Sequence, residues 1–383
     1  MSNLQLPPVA SITGKHHGEI GMELREVFSR CLTRTKGGAQ LFISKAGETI
    51  VDLAGGSMSV DTPVQVFSVS KLIVAIASAH AHAHGVLDLD EPLANYWPAF
   101  NRAETKTITA RMILDHSSGI CGIEKVLSVN DWLTDALEEE VALQNPFWKP
   151  GTQHGYHAFT FGALMAGVFK HAVKLSIQDY VATHITGILN FDAGTGFWFG
   201  APDEILPKLA KLSFDYPILT EAQAAALMNG QAIPDGSFAP ILQAGPAFFT
   251  DTRVQQSNWP AVSGVSSARA LGHIMNATLG YGVSKPLLSA SALNEMILER
   301  HYGMDRALAH VSRYGSGVEL PHSFNPYLGG RSFGHQGAGG SVVVADPDNA
   351  IVLAYTCTHS ASTVGISDQA IALMSATNLL ISP

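Results

Sequence analysis

A chain of 383 residues with 46% hydrophobic and only 14% charged side chains buries a sizeable core, as one large domain or two closely joined ones, which excludes a disordered protein. A formal charge of −9 with no extended Lys/Arg run excludes nucleic acid and anionic membrane surfaces as partners. No apolar run reaches the length of a bilayer span, MSNLQLPPVASITGKHHGEIG has no basic segment followed by an apolar stretch, and Cys31, Cys121 and Cys357 form no CxxC pair. The expectations are a reducing, cytoplasmic location, no membrane association, no disulfide framework and no zinc site.

In chain order, residues 20–35 carry apolar side chains at helical spacing and predict a leading helix. Ala39 to Ser44 and Thr49 to Leu53 read as a hairpin across the turn Lys45-Ala46-Gly47. VFSVSKLIVAIASAHAHAHG is a short extended entry into a long Ala-rich helix that Gly85 ends. From 86 to 320 the pattern is mostly helical, with candidates at 107–115, 131–143, 159–173, 221–229 and 267–278. The stretch 191–262 mixes Pro, Gly and aromatics with little charge, as loops that line or cover a cavity do. Ser341 to Ala345 and Ile351 to Thr356 are strands joined by an Asp-Pro-Asp-Asn turn, and Val364 to Leu380 is helical.

The ends thus predict one antiparallel sheet covered by terminal helices, with a helical lobe between them, an α+β class. The expected division is 1–67 plus 321–383 for the α/β lobe and 68–320 for the helical lobe, with a cleft where they meet.

Three stretches carry chemistry. Ser68-Val69-Ser70-Lys71 opens a helix, and residues three apart share a face, so the hydroxyl and the amine can approach each other. Free N–H groups at a helix start also suit a developing oxyanion. Alone, the pattern more readily describes a capped helix with a solvated lysine. Tyr156 lies at a loop-to-helix junction after Trp148-Lys149-Pro150-Gly151, where a packing aromatic is the bland reading. Phe333-Gly334-His335-Gln336-Gly337-Ala338-Gly339-Gly340 lets a ligand approach the backbone, or forms a tight hairpin.

Taken together, their order and spacing resemble the serine β-lactamase and penicillin-binding-protein superfamily, class C β-lactamases and family VIII carboxylesterases in particular. GVLDLDEP (85–92), TARMILDHSSG (109–119) and SVVVADP (341–347) resemble its other landmarks, over most of 20–375. The resemblance implies a β-lactamase/DD-peptidase-like fold, Ser68 as nucleophile, Lys71 and Tyr156 as its proton-transfer pair, and an oxyanion hole from the N–H groups of Ser68 and Ala338. It places His335, Gln336 and Gly337 in the substrate-binding position of the lactamases' Lys-Thr-Gly. Which of Lys71 and Tyr156 is the base stays open: lowering a phenol from ~10 to ~7 takes about 4 kcal/mol, which one ammonium at ~4 Å supplies at an effective dielectric near ~20.

Two departures favour an esterase over a lactamase. Ala158 stands where lactamases have Asn, and His335, mostly neutral at pH 7, stands where they have a cation. The expectation is a carboxylesterase acting on small or hydrophobic esters through an acyl-enzyme on Ser68, without metal or cofactor and with room for a homo-oligomer. Sharing the Ser68 chemistry are a β-lactamase, a D-aminopeptidase-type amidase and an acyltransferase; a non-catalytic penicillin-recognition or scaffold protein is the different class. Gly330-Arg331-Ser332-Phe333-Gly334 matches G-x-S-x-G but lacks the following helix, so Ser332 reads as non-catalytic. His80 and His84 share a helix face from which His82 points away, and His116 and His154 read as structural.

Overall fold

The computed structural model describes residues 11–381 apart from 126, 129, 215–245, 324 and 361–365. Strands β1 (Ile12–His16), β2 (Ala39–Lys45) and β3 (Glu48–Gly55) follow helix α1 (Gly18–Leu32) or flank it. The turn between β2 and β3 is tight because Ala46 and Gly47 both take positive φ, 49° and 79°. Near the other end come β9 (Phe333–Gln336), β10 (Val342–Asp346) and β11 (Ile351–Cys357), then α7 (Asp368–Thr377). The two ends interleave in one antiparallel sheet of order β1-β3-β2-β11-β10-β9. The stretch 333–340 supplies the edge strand β9 and the turn of an antiparallel hairpin with β10, Gln336 opposite Val342.

Strand alternation sends neighbouring residues to opposite faces. Leu41, Ile43, Val342, Val344, Leu353 and Tyr355 pack under α1 and α7. Phe42, Val343, Ala345, Val352 and Ala354 face the other way, toward α2 (Val69–Ala83) and α6 (Ala268–Thr278). Helix α6 lies within the 68–320 span assigned to the helical lobe, yet it covers the sheet: Ser44 donates to Asn276 (2.8 Å) and the Gln40 side-chain Oε1 accepts from the Ala268 N–H (3.0 Å). Between α2 and α6 the chain forms α3 (Ala110–Leu114), α4 (Asp135–Leu143) and α5 (Thr160–Val168). The helix expected over 159–173 changes to a π-helical turn at Phe169–Val173 and stops at Lys174, φ 61°. The helix expected at 221–229 lies outside the described residues.

A second, three-stranded sheet was not foreseen, because its strands are very short: β4 (Val64–Gln65), β5 (Phe197–Phe199) and β6 (Gly264–Ser266). Nor was the hairpin of β7 (His301–Met304) and β8 (Val311–Tyr314) foreseen. Among the described residues no helix is long and apolar enough to cross a membrane.

The seat of α6 on the sheet depends on Gly272, where a Cβ would stand 2.1 Å from the Phe42 ring. Gly272→Val therefore forces the helix off the sheet. We expect a loss of about 3 kcal/mol, read from the urea midpoint.

Candidate active site

Helix α2 is buried continuously from Val69 to Ala79, so it runs through the middle of the molecule. Gly85 ends it at positive φ (67°), its N–H on the His82 carbonyl (2.9 Å). At the other end Phe67 takes φ 49°, an uncommon conformation for an L-residue that costs on the order of 1 kcal/mol. That turn presents partly exposed Ser68 at the start of the helix. Ser70, two residues on, is turned away: it bonds the Phe67 carbonyl and accepts the Gly264 N–H (3.0 Å), pinning α2 to β6.

One turn along, Lys71 has no exposed surface. Its Nζ lies 3.0 Å from Ser68 Oγ, 2.9 Å from the Ala158 carbonyl and 3.4 Å from the Ala261 carbonyl, and 4.8 Å from the centre of the Tyr156 ring. Burial pushes the amine down to about 7, against an upward pull from the Glu319 carboxylate. As an ammonium, its three N–H groups meet three oxygens. As an amine, two N–H groups stay on the carbonyls of Ala158 and Ala261, leaving the lone pair for the Ser68 hydroxyl.

Tyr156 also hydrogen-bonds Ser68, but burial and the carboxylates of Glu319 and Asp305 drive its phenol well above the ordinary value, which the Ser68 bond only partly offsets. Of the two arrangements the sequence leaves open, this environment disfavours the phenolate. Enclosure and two carboxylates outweigh the nearby ammonium.

The third stretch arrives as the end of β9. Gly337 passes so close to the entry of α2 that a Cβ there would lie 2.3 Å from the Val66 carbonyl oxygen. Gly337 donates to Ser341 (2.7 Å) and Gly340 to Gly337 (3.1 Å), closing the turn that carries exposed Ala338. The N–H groups of Ser68 and Ala338 have no backbone acceptor among the described residues. His335 is buried, 6.0 Å ring to ring from Tyr156, and gives its Nδ1 proton to the Gln336 carbonyl (2.7 Å). Burial lowers its pKa, so it is neutral. All three predicted stretches thus meet at one place.

A family model described as Beta-lactamase matches residues 24–376. The chain belongs to the Beta-lactamase family. Esterase/beta-lactamase LipL of Mycobacterium tuberculosis is 26% identical over 356 residues, covering 88% of this chain and 80% of LipL. Among solved structures, EstA from Arthrobacter nitroguajacolicus Rue61a is similar with a TM-score of 0.83 at 24% identity, over 96% of this chain and 98% of EstA. A family VIII carboxylesterase gives 0.82 at 23% identity, over 97% of this chain and all of its own. The fold is the β-lactamase-like one expected.

Other sequence candidates fall outside this centre. Ser332 is buried, donates to the Gly329 carbonyl (2.6 Å) and is followed by strand β9, not a helix. His80 and His84 stack with ring centres 4.1 Å apart, whereas His82 turns to the Leu87 carbonyl. His82 instead nears Asp90 and Glu295, where Arg111 supplies the positive charge at 2.6 Å and 2.7 Å. His116 and His154 are buried behind Tyr156, against Tyr314.

Two buried acids of this family member escaped sequence reasoning, because nothing in Met304-Asp305-Arg306 or Val318-Glu319-Leu320 sets them apart from surface carboxylates. Asp305 sits after β7 and accepts the backbone N–H groups of Tyr156 (3.0 Å), Ala307 (2.8 Å) and Leu308 (2.9 Å), with Ser312 (3.0 Å) and Tyr314 (3.2 Å) hydroxyls. It fixes the backbone from which Tyr156 projects. Asp305→Ala strands three N–H groups, that of Ala307 buried and those of Tyr156 and Leu308 partly so, and should cost about 3 kcal/mol in a urea melt, with Asp305→Asn losing less because one oxygen still accepts.

Proposed function

We propose that the protein is a serine carboxylesterase that cleaves small, hydrophobic esters through an acyl-enzyme on Ser68. The observation that carries this reading is the fully buried Lys71 amine, held by two backbone carbonyls with its remaining valence on Ser68 Oγ. Neutral Lys71 takes the Ser68 proton as Oγ attacks the carbonyl carbon. The tetrahedral oxyanion is received by the N–H groups of Ser68 and Ala338. Tyr156, kept a neutral phenol, protonates the departing alkoxide and recovers a proton from the Lys71 ammonium beneath its ring. Water then gives a proton to Lys71 and attacks the acyl carbon; the same proton returns to Ser68 Oγ as the acid leaves. Hydrolysis needs no metal in this scheme.

Ester chemistry is favoured over β-lactam chemistry by what lies beside Ser68. Ala158 contributes a carbonyl to Lys71 and has no side-chain amide, and His335 is buried and neutral. Phe67, next to Ser68, packs against Phe249 (5.5 Å between rings) and Phe214 (6.3 Å), which makes the surroundings of the α2 entry apolar. The similarity to an esterase/β-lactamase over most of the chain supports the same reading. Three buried, unbridged cysteines accord with a cytoplasmic, reducing location.

With p-nitrophenyl butyrate, Ser68→Ala and Lys71→Ala should each lose at least about 10³-fold in kcat, and Tyr156→Phe about 10²-fold. An active Ser68→Ala protein with an inactive Ser332→Ala control would refute the assignment. Because burial lowers the Lys71 pKa, its working form is the amine, present above the folded value. Wild-type kcat/KM should therefore rise with pH through about 7 and fade below it.

A further inference from the structure

A cavity of about 410 Å³ opens between α4, the end of α5 and the segment that leads to Trp259. That volume lies within the range that holds a small organic ligand. None of Ser68, Lys71 and Tyr156 lines it, so it is separate from the catalytic centre. The side chains buried in its wall are all apolar: Trp132 and Trp259, with ring centres 5.8 Å apart, and Leu137, Ala163 and Ile177. Its rim is exposed and carries Lys170 and Lys174.

The two lysines arise from an irregular helix end. Helix α5 runs into the π-helical turn Phe169–Val173 and stops at Lys174, which takes φ 61° and ψ 26°. Glycine is the usual residue at such a left-handed stop, because a Cβ there is strained. A lysine held in that conformation at the mouth of a cavity is an outlier that points to use of its charge. Turns of π-helix also gather at functional sites. The nearby carboxylates are engaged elsewhere: Glu138 with Lys170 (3.1 Å) and His171 (3.3 Å), and Asp179 with the Ser176 hydroxyl (2.6 Å). Among the described residues no carboxylate pairs with Lys174, so the rim carries one positive charge beyond what Glu138 neutralises.

We propose that this cavity is a separate binding site for a carboxylate with an apolar body, an aliphatic acid of medium chain length. Lys174 takes the carboxylate, and Trp132, Trp259 and Leu137 cover the chain. A neutral molecule of the same shape forfeits the charge at the rim, and a short acid forfeits the apolar wall. The site stands whether or not Ser68 is the nucleophile.

Isothermal titration calorimetry with octanoate, hexanoate and octanamide tests the idea. The wild type should bind octanoate about tenfold tighter than hexanoate, since each buried methylene is worth about fourfold. It should bind octanoate at least about tenfold tighter than octanamide, which has the chain without the charge. Lys174→Gly removes the ammonium and relaxes the backbone. Its urea midpoint should be no lower than the wild type's, while octanoate weakens at least about tenfold and octanamide is unchanged. Ala166→Phe fills the cavity from α5 and should weaken all three ligands together. Octanoate that binds the wild type no better than octanamide, or not at all, overturns the proposal. So does octanoate that binds both variants as it binds the wild type, a result that would place the acid in the cleft at Ser68.

Discussion

A lysine amine sealed from water, with three oxygens around it, is the constraint the rest of the site answers to. Lys71 cannot snorkel, because α2 is buried on every side along its first turns. Its charge is therefore expensive, and the pKa falls to about 7. The two carbonyls that hold it come from separate parts of the chain, Ala158 after the Tyr156 loop and Ala261 just before β6. Each has its own fastening. The Ser70 to Gly264 bond ties β6 to α2, and Asp305 ties down the backbone at Tyr156.

Those fastenings explain the two kinds of buried acid. Asp305 is satisfied largely by backbone N–H groups that belong to fixed turns, so its role ends in holding a loop. Glu319 is held by the Tyr327 hydroxyl, the side-chain amides of Asn325 and Gln336 and the Gln336 backbone N–H, all of them neutral. A carboxylate solvated by neutral dipoles keeps its field, whereas one paired with a guanidinium loses it at short range. Arg111, clasped by Asp90 and Glu295, is the contrasting case within the same chain.

The fold was legible where local chemistry and long-range packing agree. Ala46-Gly47 demands a tight turn, Gly85 ends a helix, and the unbroken apolar runs 41–43 and 351–355 need two covered faces. The short sheet β4-β6-β5 was not legible, since two or three residues carry no periodicity. In the site, Ser68, Lys71 and Tyr156 stood out because side-chain identity marks them. The carbonyls of Ala158 and Ala261 did not, because every residue has a carbonyl and only tertiary structure selects two of them. Asp305 and Glu319 were invisible for a related reason: burial, which turns an ordinary carboxylate into a local determinant, is a property of the folded chain.

One part of the ambiguity in Ser68-Val69-Ser70-Lys71 resolves on closer physical grounds. A capped helix with a solvated lysine requires an exposed face on which the lysine lies. In Val69-Ser70-Lys71-Leu72-Ile73-Val74-Ala75-Ile76-Ala77-Ser78-Ala79 no such face exists: the positions three and four beyond Lys71, Val74 and Ala75, are apolar, as are those on the opposite side. A helix apolar all round sits inside the protein, and a lysine on its first turn then has only the space in front of the helix start to reach. That space also holds the Ser68 hydroxyl. The same composition that buries α2 therefore delivers the amine to the serine.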